Sequence, residues 1–148
     1  MTCPGAPWIL QTFDDESYCY AVITYTYDDS QLTYDKPASD CAALPGGNGK
    51  LASIHSIDEN EYILSGLSCA KPSLYRTVIG IVVSDSTFVW DDGTSLSYTN
   101  WAPAQPGNKY PYYMTVMLED GSWKTIDGMD AKYNTAIACK MAPTTLSV

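Results

Sequence analysis

Residues 88–123 read FVWDDGTSLSYTNWAPAQPGNKYPYYMTVMLEDGSW, and the rest of the chain is best read outward from them. Trp90, Trp101 and Trp123 punctuate the stretch. Short apolar runs at its ends flank a long segment rich in Pro, Gly, Asn and Gln. A loop of that length is uncommon inside a compact domain, and when ordered it usually carries function. The sequence therefore predicts a scaffold that holds this loop.

On the C-terminal side, residues 112–118 alternate aromatic and aliphatic side chains, and Glu119-Asp120-Gly121 is a hairpin signal leading into Ser122-Trp123-Lys124. Residues 135–141 (TAIACKM) form a last strand, and 142–148 read as a loose, flexible tail. On the N-terminal side, residues 78–83 are nearly continuously apolar, which predicts one central strand buried on both faces. Ser56-Ile57-Asp58-Glu59 is a capping box. In it Ser56 accepts from the amide of Glu59, and the Glu59 carboxylate reaches back to the amide of Ser56. The helix it opens runs to about Leu67, with Ile57, Ile63, Leu64 and Leu67 as its apolar stripe. A shorter helix over 36–44 tolerates Pro37 near its start, puts Cys41 on its buried face and stops at Pro45-Gly46-Gly47. Residues 18–27 are rich in β-branched and aromatic side chains and read as a strand. A strand, two helices and then a run of strands gives α+β.

At 148 residues the chain is most simply one domain with a real core. Its 12 Tyr and 4 Trp belong to a folded protein rather than a disordered one. No apolar run approaches the roughly 20 residues of a membrane span, so membrane insertion is not expected. The opening MTCPGAPW lacks the apolar segment of a signal peptide, which leaves a mature fragment or a cytosolic protein. The net charge of −9 repels phosphate backbones and excludes nucleic acid as a partner. Cysteines at 3, 19, 41, 69 and 139 include no CxxC pair, and the single His55 adds no ligand cluster, so no zinc site is expected. Their wide spacing suits disulfides in an oxidising compartment, and the odd number leaves one thiol over. No nucleophile elbow, P-loop, HExxH or dinucleotide fingerprint is present. The acid pairs Asp14-Asp15, Asp28-Asp29 and Asp91-Asp92 are adjacent turn residues, not an opposed catalytic pair. The chain does not read as an enzyme, and His55 reads as a helix-entry residue.

Taken in order, CPGAPW with the following Cys19-Tyr20, the helix bearing Cys41, GKLASIHS, VIGIVV, FVWDDGTSLSYTNW, GSW and AIACKM resemble the C-type lectin-like domain family over residues 3–141, in a divergent, Tyr-rich style similar to its nematode branch. The resemblance implies two helices, two small antiparallel sheets and a long loop projecting from one end. It also implies disulfides Cys41–Cys139 and Cys3–Cys19. Closing a loop of about 100 residues contributes several kcal/mol in the chain-entropy model. A second core bridge found in most members is missing, since Met114 and Ala131 stand near its positions. Cys69 has no family partner and reads as a free or partly buried thiol, with a dimer through Cys69 as the alternative.

Sugar-binding members hold calcium in the long loop between oxygen side chains that flank a cis-proline and an Asn-Asp pair after the Trp of the next strand. Calcium needs six to eight oxygens. Gln105 and Pro106 match that pattern, Gly107 removes a ligand, and Asn108 fits only with a register shift. Lys124 places a cation, and Thr125 a hydroxyl, where Asn and Asp belong. No cofactor is expected: calcium is disfavoured at the usual site, and Glu119 and Asp120 read as solvated turn residues rather than a rebuilt one. Tyr110, Tyr112 and Tyr113, beside Pro111, could stack on a sugar or anchor a protein. The expected ligand-binding set is Gln105, Asn108, Tyr110, Tyr112 and Lys124. The resemblance thus implies a secreted, non-enzymatic domain that binds glycans without the usual calcium site. Its alternatives are a protein-binding module using the same loop, or a calcium-dependent lectin with rearranged ligands.

Overall fold

The computed structural model describes residues 1–24, 35–70, 76–107, 113–127 and 135–145, apart from the side chains of residues 67–70, 113 and 127. An N-terminal hairpin of β1 (Ile9–Phe13) and β2 (Glu16–Thr24) comes first. Helix α1 (Lys36–Ala42), the short strand β3 (Lys50–Leu51) and helix α2 (Ile57–Ala70) follow. Next come β4 (Arg76–Ile79), β5 (Ile81–Ser84) and β6 (Thr87–Trp90). Beyond the loop lie β7 (Tyr113–Leu118), β8 (Trp123–Asp127) and β9 (Thr135–Met141). The larger sheet has the order β1-β2-β9-β4-β7-β8 with β3 also on β9, and β5-β6 is a separate hairpin. The fold is α+β, with two helices and two sheets. The larger sheet is mixed, because β4 runs parallel to β9.

β9 sits at the centre, and all its residues are buried. Cys41–Cys139 fastens α1 to it, and Cys3–Cys19 closes the start of the chain onto β2. Past β9 the chain is held as well: Thr144 and Thr2 exchange backbone hydrogen bonds of 2.9 Å, so the expected loose tail begins no earlier than residue 145. The expected single strand over 78–83 is in fact two strands in different sheets. Gly80 is the pivot. A Cβ there would lie 2.6 Å from the Leu51 carbonyl oxygen, so only glycine lets the chain pass this close to the β3 segment and change sheet.

The capping box forms by half. Ser56 Oγ accepts from the Glu59 amide at 3.1 Å, but the Glu59 carboxylate does not return to Ser56. One oxygen takes the His55 amide at 3.1 Å, and the other accepts from Tyr20 Oη at 2.9 Å and Lys140 Nζ at 2.5 Å. Lys140 projects from β9 into the interior, where a bare ammonium would be costly, so Glu59 turns inward to meet it. Lys140 also donates to the Ser53 carbonyl at 3.1 Å and lies 4.1 Å over the Tyr18 ring. Burial, then the Glu59 charge, pushes the Tyr20 phenol far above its ordinary range, so it stays a neutral donor.

Ser53 carries this network to the start of the loop. Its hydroxyl donates to Asp92, which also accepts from the amide and hydroxyl of Thr94 at 2.9 and 2.5 Å. With both hydroxyl protons committed to Asp92, His55 Nε2, 3.1 Å from Ser53 Oγ and 3.0 Å from Thr94 Oγ1, carries the proton and shares its one N–H between them. Burial pushes the Asp92 carboxyl up, but the hydroxyls of Ser53 and Thr94, the Thr94 amide and the Lys140 charge outweigh it and hold it below its ordinary 3.8.

Trp123 is fully buried, with the rings of Trp90, Tyr98 and Trp101 edge-on to it at 5.5, 5.7 and 5.8 Å. Its indole N–H donates to Asn60 Oδ1 at 2.8 Å. Trp90 is 1% exposed, and its N–H has no acceptor among the described residues. Trp101 is only half-buried.

Trp123→Phe orphans the Asn60 oxygen, whereas Trp90→Phe orphans nothing; urea denaturation should therefore find Trp123→Phe less stable than Trp90→Phe by about 1–3 kcal/mol. Equal costs would remove the indole–amide bond as a stabilising contact. A carboxyl whose folded value lies below its unfolded one stabilises fully above about pH 4, and that stability is lost as pH falls through the folded value. Acid titrations of unfolding should thus be flatter for Asp92→Asn than for the unaltered chain below pH 4, and parallel curves would contradict the assignment.

Candidate functional site

The loop that leaves β6 returns along the open edge of β8. Trp123 N donates to the Asn100 carbonyl and Ala102 N to the Trp123 carbonyl, each at 2.8 Å. Asn100 Nδ2 and Asn60 Nδ2 both donate to the Gly121 carbonyl, at 2.7 and 3.0 Å. Two side-chain amides, one on the loop and one on α2, thus fix the β7–β8 turn. Gly121 has φ +89°, and a Cβ there would crowd Asn60 Nδ2 at 3.2 Å.

Further along, Gln105 N donates to the Ala102 carbonyl at 3.0 Å, and the Gln105–Pro106 peptide is cis. Gln105 Oε1 accepts from Thr125 N at 3.1 Å and from Thr125 Oγ1 at 3.2 Å. Thr125 Oγ1 accepts in turn from Gly107 N at 3.0 Å. The groups that the sequence aligns with cation ligands are therefore bonded to one another. A carbonyl oxygen with two donors has no lone pair left for an ion. Gly107 offers no side-chain oxygen, and a Cβ at that position would sit 2.8 Å from Thr125 Oγ1. As a donor set for calcium these residues do not fit.

The expected binding set does not stay together. Gln105 is half-buried and turned inward to β8. Lys124 pairs with Val116 across the sheet, and alternation along β8 sends it to the face opposite Trp123 and Thr125, away from Gln105. Asn108, Tyr110 and Tyr112 lie outside the described residues, as does the side chain of Cys69 on α2. Glu119 and Asp120 are exposed, and Asp120 caps its own turn by accepting from the amide and hydroxyl of Ser122 at 2.9 and 2.6 Å, which holds its carboxyl below 3.8. Among the described residues no group of three or more His, Cys, Asp or Glu could hold a metal ion. Met114, near the position of the missing bridge, is buried opposite Ile126.

The residues that do shape the site include Asn60, Asn100, Asp92 and Thr94. Their sequence signal is weak, because each is an ordinary polar residue with a partner distant in the chain, even where, as for Asp92 and Thr94, a local bond is also made. Asn60 alone could be suspected, one residue past Glu59 on a helix with an apolar stripe.

The family model described as lectin C-type domain matches residues 30–141. The alpha-N-acetylgalactosamine-specific lectin of Patiria pectinifera is 33% identical over 110 residues, covering 72% of this chain and 62% of that relative. The chain thus spans about three fifths of the relative's length. Among solved structures, C-type lectin CEL-I from Cucumaria echinata superposes with a TM-score of 0.72 at 22% identity, over 96% of this chain and 99% of that one. A calcium-independent type II antifreeze protein superposes with a TM-score of 0.70 at 25% identity, over 97% and 96%. With the family model spanning both helices and the whole frame of the loop, the chain belongs to the C-type lectin domain family, whose members are non-enzymatic recognition proteins.

Proposed function

We propose that this chain is an extracellular recognition domain that binds glycans through the surface around the 94–107 loop and β8, with the loop fastened by protein hydrogen bonds instead of by calcium. The observation that carries the calcium-free part is the closed set Gln105 Oε1–Thr125–Gly107, in which the candidate ligands spend their hydrogen-bonding capacity on each other. A relative named as specific for alpha-N-acetylgalactosamine supports glycan as the target class, and a neighbour named as calcium-independent supports a loop that stands without the ion. Two disulfides suit an oxidising, extracellular setting. Tyr110 and Tyr112 are proposed as stacking residues on the sequence pattern alone, since aromatic faces pack well on sugar rings.

The reading makes two separable predictions. An ion that bound only the folded chain would raise its melting temperature by several degrees at saturation. The melt should instead be the same in millimolar calcium and in EDTA, and a rise of roughly 5 °C would restore a calcium site. Glycan-array binding should persist in EDTA and weaken by about twofold to tenfold in each of Tyr110→Ala and Tyr112→Ala, since stacked aromatic contacts are each worth about 0.5–1.5 kcal/mol. Binding to no glycan, together with capture of a protein lost in the same two variants, would make the loop a protein-contact surface.

A further inference from the structure

Gly66 lies inside α2 with no steric reason to be glycine. A Cβ at Gly49 or Gly80 would come within 2.3 or 2.6 Å of a backbone carbonyl oxygen, so those positions admit nothing larger. A Cβ at Gly66 would meet only Val22 Cγ2, at 3.6 Å, which is ordinary contact. Its backbone is helical, which suits any residue, and alanine is markedly the better helix former. What glycine keeps at that position is space. Beside it, between α2 and the β1–β2 end of the larger sheet, is a cavity of ≈ 320 Å³ lined by Ile9, Tyr20, Val22, Tyr62, Ile63 and Gly66. Close-packed interiors rarely leave voids much larger than one water.

The side chains of the lining offer no polar group without a partner. Tyr20 Oη donates to Glu59 at 2.9 Å, and the Tyr62 hydroxyl is hydrogen-bonded to the Gln11 side chain. The backbone behind them is used as well, since Ala21 pairs with Cys139 and Val22 with Ala138 in the β2–β9 ladder. Water is held well only where it finds two to four polar partners, and a charged or strongly polar guest would give up its hydration for nothing in return. We propose that this cavity is a binding site for a small, uncharged, apolar molecule, separate from the recognition loop. An apolar cavity of ~150 Å³ takes up one benzene, so about twice that volume accommodates roughly a dozen non-hydrogen atoms. Ile9, 56% exposed, stands at the mouth and is the one exposed large hydrophobic side chain of the lining. A single isoleucine is not the broad apolar face with which a protein enters a bilayer, so the guest is a free molecule rather than a lipid chain still in its membrane.

Titration of the full chain with 1-octanol tests this, read by the methyl NMR signals of Ile9, Val22 and Ile63. Those signals should shift saturably and one-to-one, and octanol should bind about tenfold more tightly than 1-hexanol, because each buried CH₂ contributes roughly fourfold. Gly66→Ala should raise the melting temperature by about 2–4 °C and weaken octanol about threefold or more, since its methyl group takes the space of one CH₂. Gly66→Leu, with an unchanged circular-dichroism spectrum, should abolish binding, and Gly66→Ala alone decides the matter should the leucine variant fail to fold. The chain should not co-sediment with phosphatidylcholine vesicles. Octanol that leaves the three residues' methyl signals unmoved up to about 3 mM overturns the proposal. So do shifts that never saturate, an octanol affinity unchanged in Gly66→Ala, a Gly66→Ala chain that melts below the unaltered one, or binding to the vesicles alone.

Discussion

The indole N–H of Trp123 donates to Asn60, and much of the loop's frame follows from that one bond. Apolar burial draws the large rings inward, but burial has no direction and would accept several orientations of the same indole. The need to satisfy a buried N–H removes that freedom. Asn60, 0% exposed, accepts from the indole and donates to the Gly121 carbonyl, so one amide ties α2 both to the start of β8 and to the turn before it. Once Trp123 is fixed, Trp90, Tyr98 and Trp101 have a surface to pack against, and the loop is brought within reach of the β8 edge. The fold thus spends a helix residue on positioning a strand and a loop.

The same helix secures the other end. Lys140 on the central strand requires a carboxylate, and Glu59 supplies it at the cost of the reciprocal cap that its sequence position suggested. Buried ion pairs of this kind are weak evidence for stability, because desolvation offsets much of their attraction. Here the pair has a further structural consequence: Ser53, which accepts from Lys140, also donates to Asp92 at the first turn of the loop. The loop therefore leaves β6 tied through Ser53 to Lys140 and returns along β8 to a Trp–Asn pair. Both ties end on the first turn of α2, at Glu59 and Asn60.

How much of this was legible in the sequence depends on whether the signal was local. The helices, the hairpin at Glu119–Gly121 and the frame of tryptophans were readable, because caps, turn residues and bulky apolar side chains act within a few positions. The two disulfides came from resemblance rather than from spacing. The run over 78–83 was misread because a continuous apolar stretch looks the same whether it stays in one sheet or switches between two; Gly80 was the one mark of the switch, and its reason, the nearby Leu51 carbonyl, is remote in sequence. Lys124 was grouped with Gln105 because it follows Trp123. The paired register of β8 separates them, since Lys124 lies opposite Val116 and on the other face from Thr125. Lys140 and Asn60 are not legible in the same way, because a polar residue in an apolar pattern announces that it has a partner without saying which.

On the proposed calcium-free reading, hydrogen bonds in place of an ion would change what the loop's order depends on. A calcium ligand set is a group of like charges held together by the ion, and without it the carboxylates repel, so the order of such a loop follows the ion's concentration. Gln105, Gly107 and Thr125 bear no charge and satisfy one another. Nothing in that set repels when left alone, so on that reading the loop base needs no ion to hold it. Gly107 belongs to this arrangement as much as Thr125 does: a side chain there would meet the threonine hydroxyl at 2.8 Å and separate it from the loop. Gly107 and Thr125 are therefore one structural unit, each fitting only because the other is there. Restoring an oxygen ligand at residue 107 alone would break the hydrogen-bonded base without completing a cage.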